Sequence, residues 1–280
     1  MSQPAVAALA PLPFELVTDD GEPLESNWHV DQGSLLKELI QQAMEERGRG
    51  DYFVGVNMFV YYSEKQAEEI ATEFARGAIS RRRYRGPDVF YVGGVEGNGD
   101  RKAWVVWEEG RYPEVIVELL SPSTAKIDRT VKKDLYAGTF RTPEYFYHDP
   151  DKVKLEGFRL AGASYRPILP NAQGRLVSER LGLELGLWQG VYRKHAATWV
   201  RLFHPDGSLV LTGDERADAE RQRADAERQR ADAERQRADA ARQRADAERQ
   251  RADAERQRAD AAEAELARLR ARLGGGSGEG

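Results

Sequence analysis

The chain reads as an α+β fold: a mixed β-sheet with helices packed on it, followed by one long, charged C-terminal helix. Three observations predict this. Runs of β-branched and aromatic residues, as in 52–62 and 115–120, mark buried strands. Apolar residues at helical spacing lie between those runs, so helices alternate with strands as in a mixed sheet. From Arg216 onward a seven-residue Arg-Ala-Asp-Ala-Glu-Arg-Gln repeat replaces both patterns.

Residues 1–30 are Pro-rich and weakly patterned, which predicts an irregular arm. From Ser34 the positions Leu35, Leu36, Leu39, Ile40, Ala43 and Met44 recur at helical spacing, with Ser34 or Asp31 as N-cap and Gly48 and Gly50 as stop. Residues 52–62 read as one strand, bent at Gly55. Residues 63–75 are polar and fit a short helix or a long loop. Strands follow around 88–92 and 115–120, separated by a Gly-rich loop at 93–99. Pro122 ends the second strand, and Ser123 or Thr124 caps a helix over 127–140 with Ile127, Val131, Leu135 and Ala137 or Gly138 on one face. Residues 144–148 form a short strand closed by the Asp149-Pro150 turn. Residues 153–160 and 164–169 form a hairpin across Gly162. Further strands lie between 183 and 211, with a turn at Pro205-Asp206-Gly207. This gives a globular domain over 31–213, a heptad-repeat helix over 214–273 and a flexible Gly-rich tail over 274–280.

In the repeat, the alanines are two apart, as in Ala217 and Ala219, and form no continuous seam. Opposite charges fall at i,i+3 (Asp218 with Arg221, Glu220 with Arg223) and i,i+4 (Arg221 with Asp225), each pair contributing about 0.2–0.5 kcal/mol. The pattern predicts a long solvated helix with a spacing role. Leu266, Leu269 and Leu273 add one apolar patch, through which a homodimer or a protein partner is conceivable.

The 280 residues include no cysteine, which excludes disulfides and thiolate metal sites and fits a reducing cytoplasm. Residues 5–10 lack a basic start and are interrupted by Pro11 and Pro13, and no stretch reaches membrane-span length, so neither signal peptide nor membrane is expected. Lys+Arg 42 against Asp+Glu 47 gives a net charge of -5. That balance argues against holding nucleic acid by bulk electrostatics and leaves the task to a local patch, for which Arg81, Arg82, Arg83 and Arg85 are the candidates.

Asp88, after Pro87, and Glu118, in Val115-Ile116-Val117-Glu118-Leu119-Leu120, each place a carboxylate at the edge of a strand. Two acids on paired strands, with the main-chain carbonyl of Leu119 beside them, form an oxygen donor set for Mg²⁺ or Mn²⁺. Such an ion polarises a phosphate and activates water, and a nearby lysine stabilises the charge that develops. This chemistry is that of a nuclease. The plain alternatives are a turn residue for Asp88, a structural acid paired with an arginine for Glu118, an exposed helix lysine for Lys132 and core packing for Tyr136. Ser121 lacks a nucleophile elbow, and the glycines at 93, 94, 97 and 99 lack the Walker ending. His29, His148, His195 and His204 show no metal-ligand spacing.

Pro87-Asp88-Val89, then Val117-Glu118-Leu119-Leu120-Ser121-Pro122-Ser123-Thr124, Asp128 with Lys132 and Tyr136, Pro143-Glu144-Tyr145-Phe146 and Asp149-Pro150 together resemble the Uma-two family of restriction endonuclease-like proteins, within the PD-(D/E)XK nuclease superfamily. Glu156-Gly157-Phe158 and residues 201–207 fit as well, so the resemblance covers about 50–212. It implies a restriction-endonuclease-like core and metal-dependent cleavage of DNA, with Asp88 and Glu118 as metal ligands. The superfamily lysine belongs two places after the second acid, where this chain has Leu120. Lys132 stands where the family carries a lysine on the next helix and takes that role, ahead of Lys133 and Lys126. The competing expectation is a nuclease fold without catalysis, whose long helix mediates a protein interaction. A third is a hydrolase of other phosphoesters.

Overall fold

The computed structural model describes residues 12–17, 26–76, 86–97, 99–122 and 125–274. The chain forms two compact units, Met1–Glu215 and Arg216–Gly280.

Helix α1 (Asn27–Glu46) begins well ahead of the expected start at Ser34. Ser26 is its cap, with extended backbone and Oγ accepting the His29 N–H at 3.4 Å. Apolar spacing marked the part of the helix after Ser34, because in residues 27–31 Trp28, which packs on the core, and the exposed Val30 form no period. Leu35, Leu36, Leu39, Ile40, Ala43 and Met44 are its buried face, as the spacing predicts.

The run 52–62 is two strands, not one bent strand: β1 (Tyr52–Val56) and β2 (Val60–Tyr61). Asn57 separates them with a left-handed backbone, φ 48°. Gly55 is needed for close approach, because a Cβ there would overlap the Phe90 ring. Helix α2 (Glu64–Ala75) resolves the helix-or-loop alternative, with Ser63 Oγ accepting the Gln66 N–H at 3.2 Å. Then come β3 (Val89–Gly93), β4 (Trp104–Val105), α3 (Val106–Glu109) and β5 (Val115–Leu119). β4 and α3 are too short to show a period in the sequence, and neither was expected.

After β5 the chain crosses through α4 (Ala125–Ile127), a π turn (Asp128–Lys132) and α5 (Lys133–Gly138) before β6 (Glu144–Asp149). The hairpin β7 (Lys154–Ala161) and β8 (Ser164–Pro167) turns at Gly162, φ +66°. β9 (Leu176–Ser178), β10 (Leu183–Tyr192) and β11 (His195–Phe203) complete the strands.

The main sheet has the order β1-β3-β5-β6-β7-β8. Among the described residues only β5 and β6 run parallel within it. A parallel pair cannot be closed by a hairpin, so this pairing forces the helical crossover over one face of the sheet. The opposite face packs on α1 through Val54, Val89, Tyr91, Val115, Val117, Leu119 and Phe146. α1 is covered in turn by the antiparallel sheet β11-β10-β9. The buried Gln32 joins these layers, its Nε2 donating to Val200 O at 3.1 Å and its Oε1 accepting from Val200 N at 2.8 Å. β2 and β4 form a separate parallel pair.

The crossover departs from the expected single helix. Val131 is exposed and Ile127 and Leu135 are only half-buried, while Asp128, Tyr136 and Ala137 are buried. The expected stripe is thus packed only at its end, through Ala137 and the half-buried Leu135. The packed face carries polar groups that find partners inside, and the π turn resets its phase. The expected caps Ser123 and Thr124 lie outside the described residues.

Helix α6 (Gly213–Gly274) starts with a capping box: Thr212 Oγ1 accepts the Glu215 N–H at 3.3 Å, and Glu215 Oε2 accepts the Thr212 N–H at 2.9 Å. Glu215 also takes both terminal nitrogens of the buried Arg201, at 2.9 and 2.7 Å, and Glu38 Oε1 accepts the Gly213 N–H at 2.9 Å. From Arg216 the helix is solvent-exposed, with the expected Asp218–Arg221 pair formed at 2.5 Å. The whole helix is about 93 Å long at 1.5 Å per residue. Leu266 and Leu269 are half-exposed, and the Leu273 side chain lies outside the described residues. Among the described residues no helix is long and apolar enough to cross a membrane.

Candidate active site

Strand alternation sets the site. On β5, Val115, Val117 and Leu119 face α1, so Ile116, Glu118 and Leu120 face the crossover. The β3–β5 register pairs Val89 with Val117, and one further step puts Asp88 opposite Glu118. Two acids thirty residues apart in the chain therefore become neighbours. They are joined reciprocally: Asp88 Oδ2 accepts the Leu119 N–H at 2.6 Å, and Glu118 Oε2 accepts the Asp88 N–H at 3.3 Å.

The crossover supplies the rest. Lys132 Nζ lies 3.1 Å from Glu118 Oε2 and 2.8 Å from Asp128 Oδ1. Tyr136 Oη donates to Glu118 Oε1 at 2.8 Å, and Tyr145 Oη donates to the Asp128 carbonyl at 2.9 Å. The Glu118 side chain is 0 % exposed, Asp128 1 % and Lys132 15 %; Asp88 is half-buried. The Asp128 Oδ1 contact is an ion pair without hydrogen-bond geometry, so this buried oxygen has no hydrogen-bond partner among the described residues.

Burial raises the Glu118 carboxyl well above its ordinary range; Lys132 opposes that shift, while Asp88 and Asp128 reinforce it. Burial likewise raises Asp88, again against Lys132. For Lys132, burial alone would lower the ammonium, but Glu118, Asp128 and Asp88 outweigh it and raise it. Burial and the Glu118 charge raise Tyr136, which stays a neutral donor.

The structure brings Asp88, Glu118, the Leu119 main chain and Lys132 together. Glu118 is paired with a lysine rather than an arginine, and Lys132 is not an exposed helix lysine. Leu120, two places after Glu118, where the resemblance leads one to expect a lysine, packs in the apolar cluster beneath the crossover. Lys133 lies over the Phe158 ring at 3.2 Å instead, and Lys126 is exposed. Arg81, Arg82, Arg83 and Arg85 lie outside the described residues. Tyr136 is both core packing and a ligand of Glu118. Asp128, Lys132 and Tyr136 share the helical face that their four-residue spacing predicts, and the structure adds an ion pair between Asp128 and Lys132 at 2.8 Å. His148 is buried, its Nδ1 3.2 Å from Lys154 O, while His29 meets Ser26, His195 meets Trp199 and His204 meets Glu46.

The donors fit a hard divalent cation. Three carboxylates against one ammonium leave two negative charges in excess when all are ionised, in a cluster shielded from water. One carboxylate oxygen in that cluster, Asp128 Oδ1, meets Lys132 Nζ at 2.8 Å without hydrogen-bond geometry and has no other partner among the described residues. Among the described residues no group of three or more His, Cys, Asp or Glu side chains is placed to hold a metal ion. A pair of carboxylates completed by waters and substrate oxygens is the ordinary way Mg²⁺ is held.

Among curated proteins none matches the chain. Among solved structures it is similar to a crystal structure described as a "putative nuclease belonging to DUF820" from Anabaena variabilis ATCC 29413. The two are 13 % identical, with a TM-score of 0.39, over 59 % of this chain and 81 % of that one. The model of the Uma2 family, described as "Putative restriction endonuclease", matches residues 11–193, a span that contains Asp88, Glu118, Lys132 and Tyr136, and the chain therefore belongs to that family.

Proposed function

We propose that this protein is a metal-dependent endonuclease that hydrolyses phosphodiester bonds in DNA. The observation that carries the reading is the shielded cluster of Asp88, Glu118 and Asp128 around Lys132, with an excess of negative charge that a divalent cation balances. Asp88, Glu118 and the Leu119 carbonyl would hold Mg²⁺ or Mn²⁺, which when bound would supply Lewis-acid polarisation of the scissile phosphate and a more acidic attacking water. Asp88 accepts the Leu119 N–H, which anchors its carboxylate to the end of the strand that carries Glu118. Tyr136 holds the Glu118 carboxylate from beneath. Lys132 keeps its proton, orients the water and stabilises charge on the phosphate as the bond breaks. Arg81, Arg82, Arg83 and Arg85 neutralise flanking phosphates, and the long helix serves as a spacer that presents the domain to a second copy or a protein partner. The setting is cytoplasmic.

The test is nicking of supercoiled plasmid with Mg²⁺ or Mn²⁺, comparing the parent with Asp88→Ala and Glu118→Ala. Loss of cleavage in folded variants supports the reading, and cleavage that survives either change removes it. A parent that binds DNA without cutting it under any divalent ion would instead indicate a binding module. Cleavage confined to small phosphodiesters would reassign the substrate.

A further inference from the structure

We infer that Lys132 is a built-in counter-ion of Glu118 which a divalent cation must displace, and that Asp128 is the positioning residue that retains Lys132 at the site when it yields. This rests on the metal-binding reading above and concerns how that site is regulated.

Both oxygens of Glu118 are engaged. Oε1 takes the Tyr136 hydroxyl at 2.8 Å, and Oε2 takes the Asp88 N–H at 3.3 Å and the Lys132 ammonium at 3.1 Å. Oε2, the oxygen beside Asp88, has both lone pairs taken, so a cation that ligates it must replace one of its donors. Tyr136 is fully buried, its ring packed on Phe140 and Tyr145, and cannot withdraw without opening the core. The Asp88 N–H is backbone at the edge of β3. Lys132 alone combines partial exposure with a flexible four-carbon stem, and it is the donor that gives way.

Asp128 determines where the ammonium goes. Its carboxylate is buried and already 2.8 Å from Nζ, yet Oδ1 lacks a hydrogen bond and has capacity for a full one. Its backbone is held through Tyr145 Oη, so the acid stays in place while the lysine turns. Asp128 and Lys132 are the two ends of the π turn, which faces both side chains toward the sheet. Lys132 thus passes from a bond shared by two acids to one held by Asp128, and remains beside the phosphate it is to serve. Metal occupancy and lysine position become one equilibrium.

The test is calorimetric titration of the full-length protein with Mn²⁺ alone, in the absence of DNA. Lys132→Met removes the competing charge and keeps the bulk. It is expected to bind Mn²⁺ at least about fivefold more tightly, the factor for one unit charge near 4 Å even at the dielectric of water. Asp128→Asn is expected to bind more weakly than the parent, since the displaced ammonium loses its second acid. In the parent, the Lys132 side-chain NMR signal is expected to move on Mn²⁺-free titration with Mg²⁺, a readout that requires no variant to fold. Binding by the parent with equal or weaker affinity in Lys132→Met, or a Lys132 signal unmoved at saturating Mg²⁺, overturns the displacement and leaves the two-acid site standing. Unchanged affinity in Asp128→Asn with only a lowered melting temperature overturns the role of Asp128. No binding of Mn²⁺ by any of the three proteins overturns this inference together with the metal-binding reading.

Discussion

Replacing Tyr136 by Phe deletes one oxygen from a fully buried side chain and leaves its ring contacts, 5.2 Å to Phe140 and 5.4 Å to Tyr145 between centroids, in place. The oxygen donates to Glu118 Oε1 at 2.8 Å, beneath the strand where water cannot replace it. A hydrogen bond to a charged group is worth about 1.5–3 kcal/mol, and a buried acceptor left without its donor incurs the desolvation cost. Tyr136→Phe should therefore destabilise the globular unit by about 2 kcal/mol. For a domain of this size that lowers the melting temperature by about 4–8 °C. The assay is urea unfolding followed by tryptophan fluorescence, read with a double-mutant cycle against Glu118→Gln. The Tyr136→Phe cost should shrink by about 1 kcal/mol when Glu118 is already neutral, because the charge-assisted part is then absent. A cost below about 0.5 kcal/mol, the range of an ordinary surface change, would refute the reasoning. So would a cost of the same size in both backgrounds, which would mean that the hydroxyl acts through something other than Glu118.

Glu215→Ala should cost about 3–5 kcal/mol in urea unfolding, because it strands the buried Arg201 guanidinium and removes half of the capping box; a loss under 1 kcal/mol would show that the pair is dispensable. Gly55→Ala should cost about 1–3 kcal/mol, since the new methyl group overlaps the Phe90 ring, and a neutral result would mean that β1 shifts freely. Burial lowers the His148 imidazole below its ordinary value, against smaller opposing effects of the Lys154 carbonyl and Asp149. A lowered folded value means that its contribution is present above pH about 6.5 and is lost as pH falls below it. The urea midpoint should drop between pH 7 and pH 5, and His148→Asn should flatten that slope; an equally steep slope in the variant would assign it to other groups.

The centre of the sheet was legible because its strands are buried on both faces and carry β-branched or aromatic runs, as in residues 115–117 and 145–147. The two acids were visible for the same reason, each being a charge at the edge of such a run. What escaped was set by tertiary context. Asn57 divides residues 52–62 by a backbone angle that no side-chain pattern announces. The shared face of Asp128, Lys132 and Tyr136 was legible from their four-residue spacing, but its packing was not, because periodicity locates burial by apolarity and chose the exposed Val131, whereas Glu118 draws Lys132 and Tyr136 inward. The first turn of α1 was missed because its cap at Ser26 precedes the apolar pattern. Gln32 and Arg201 looked like surface residues until their partners, Val200 and Glu215, were brought to them from distant parts of the chain.

The π turn at Asp128–Lys132 has a consequence for how this crossover tolerates insertions and deletions. In a regular helix each residue advances the side chain by about 100°. The wide turn absorbs part of one such step, so the rotation accumulated between Asp128 and Tyr136 differs from that of an unbroken helix. Deleting one residue between Lys132 and Tyr136, where the helix is regular and nothing absorbs the step, would leave composition and helix propensity nearly untouched, yet rotate everything after it by about 100°. Tyr136 would then point away from Glu118 while each residue remained individually acceptable. A variant of this chain with every chemical group intact could be inert for reasons of angular phase alone.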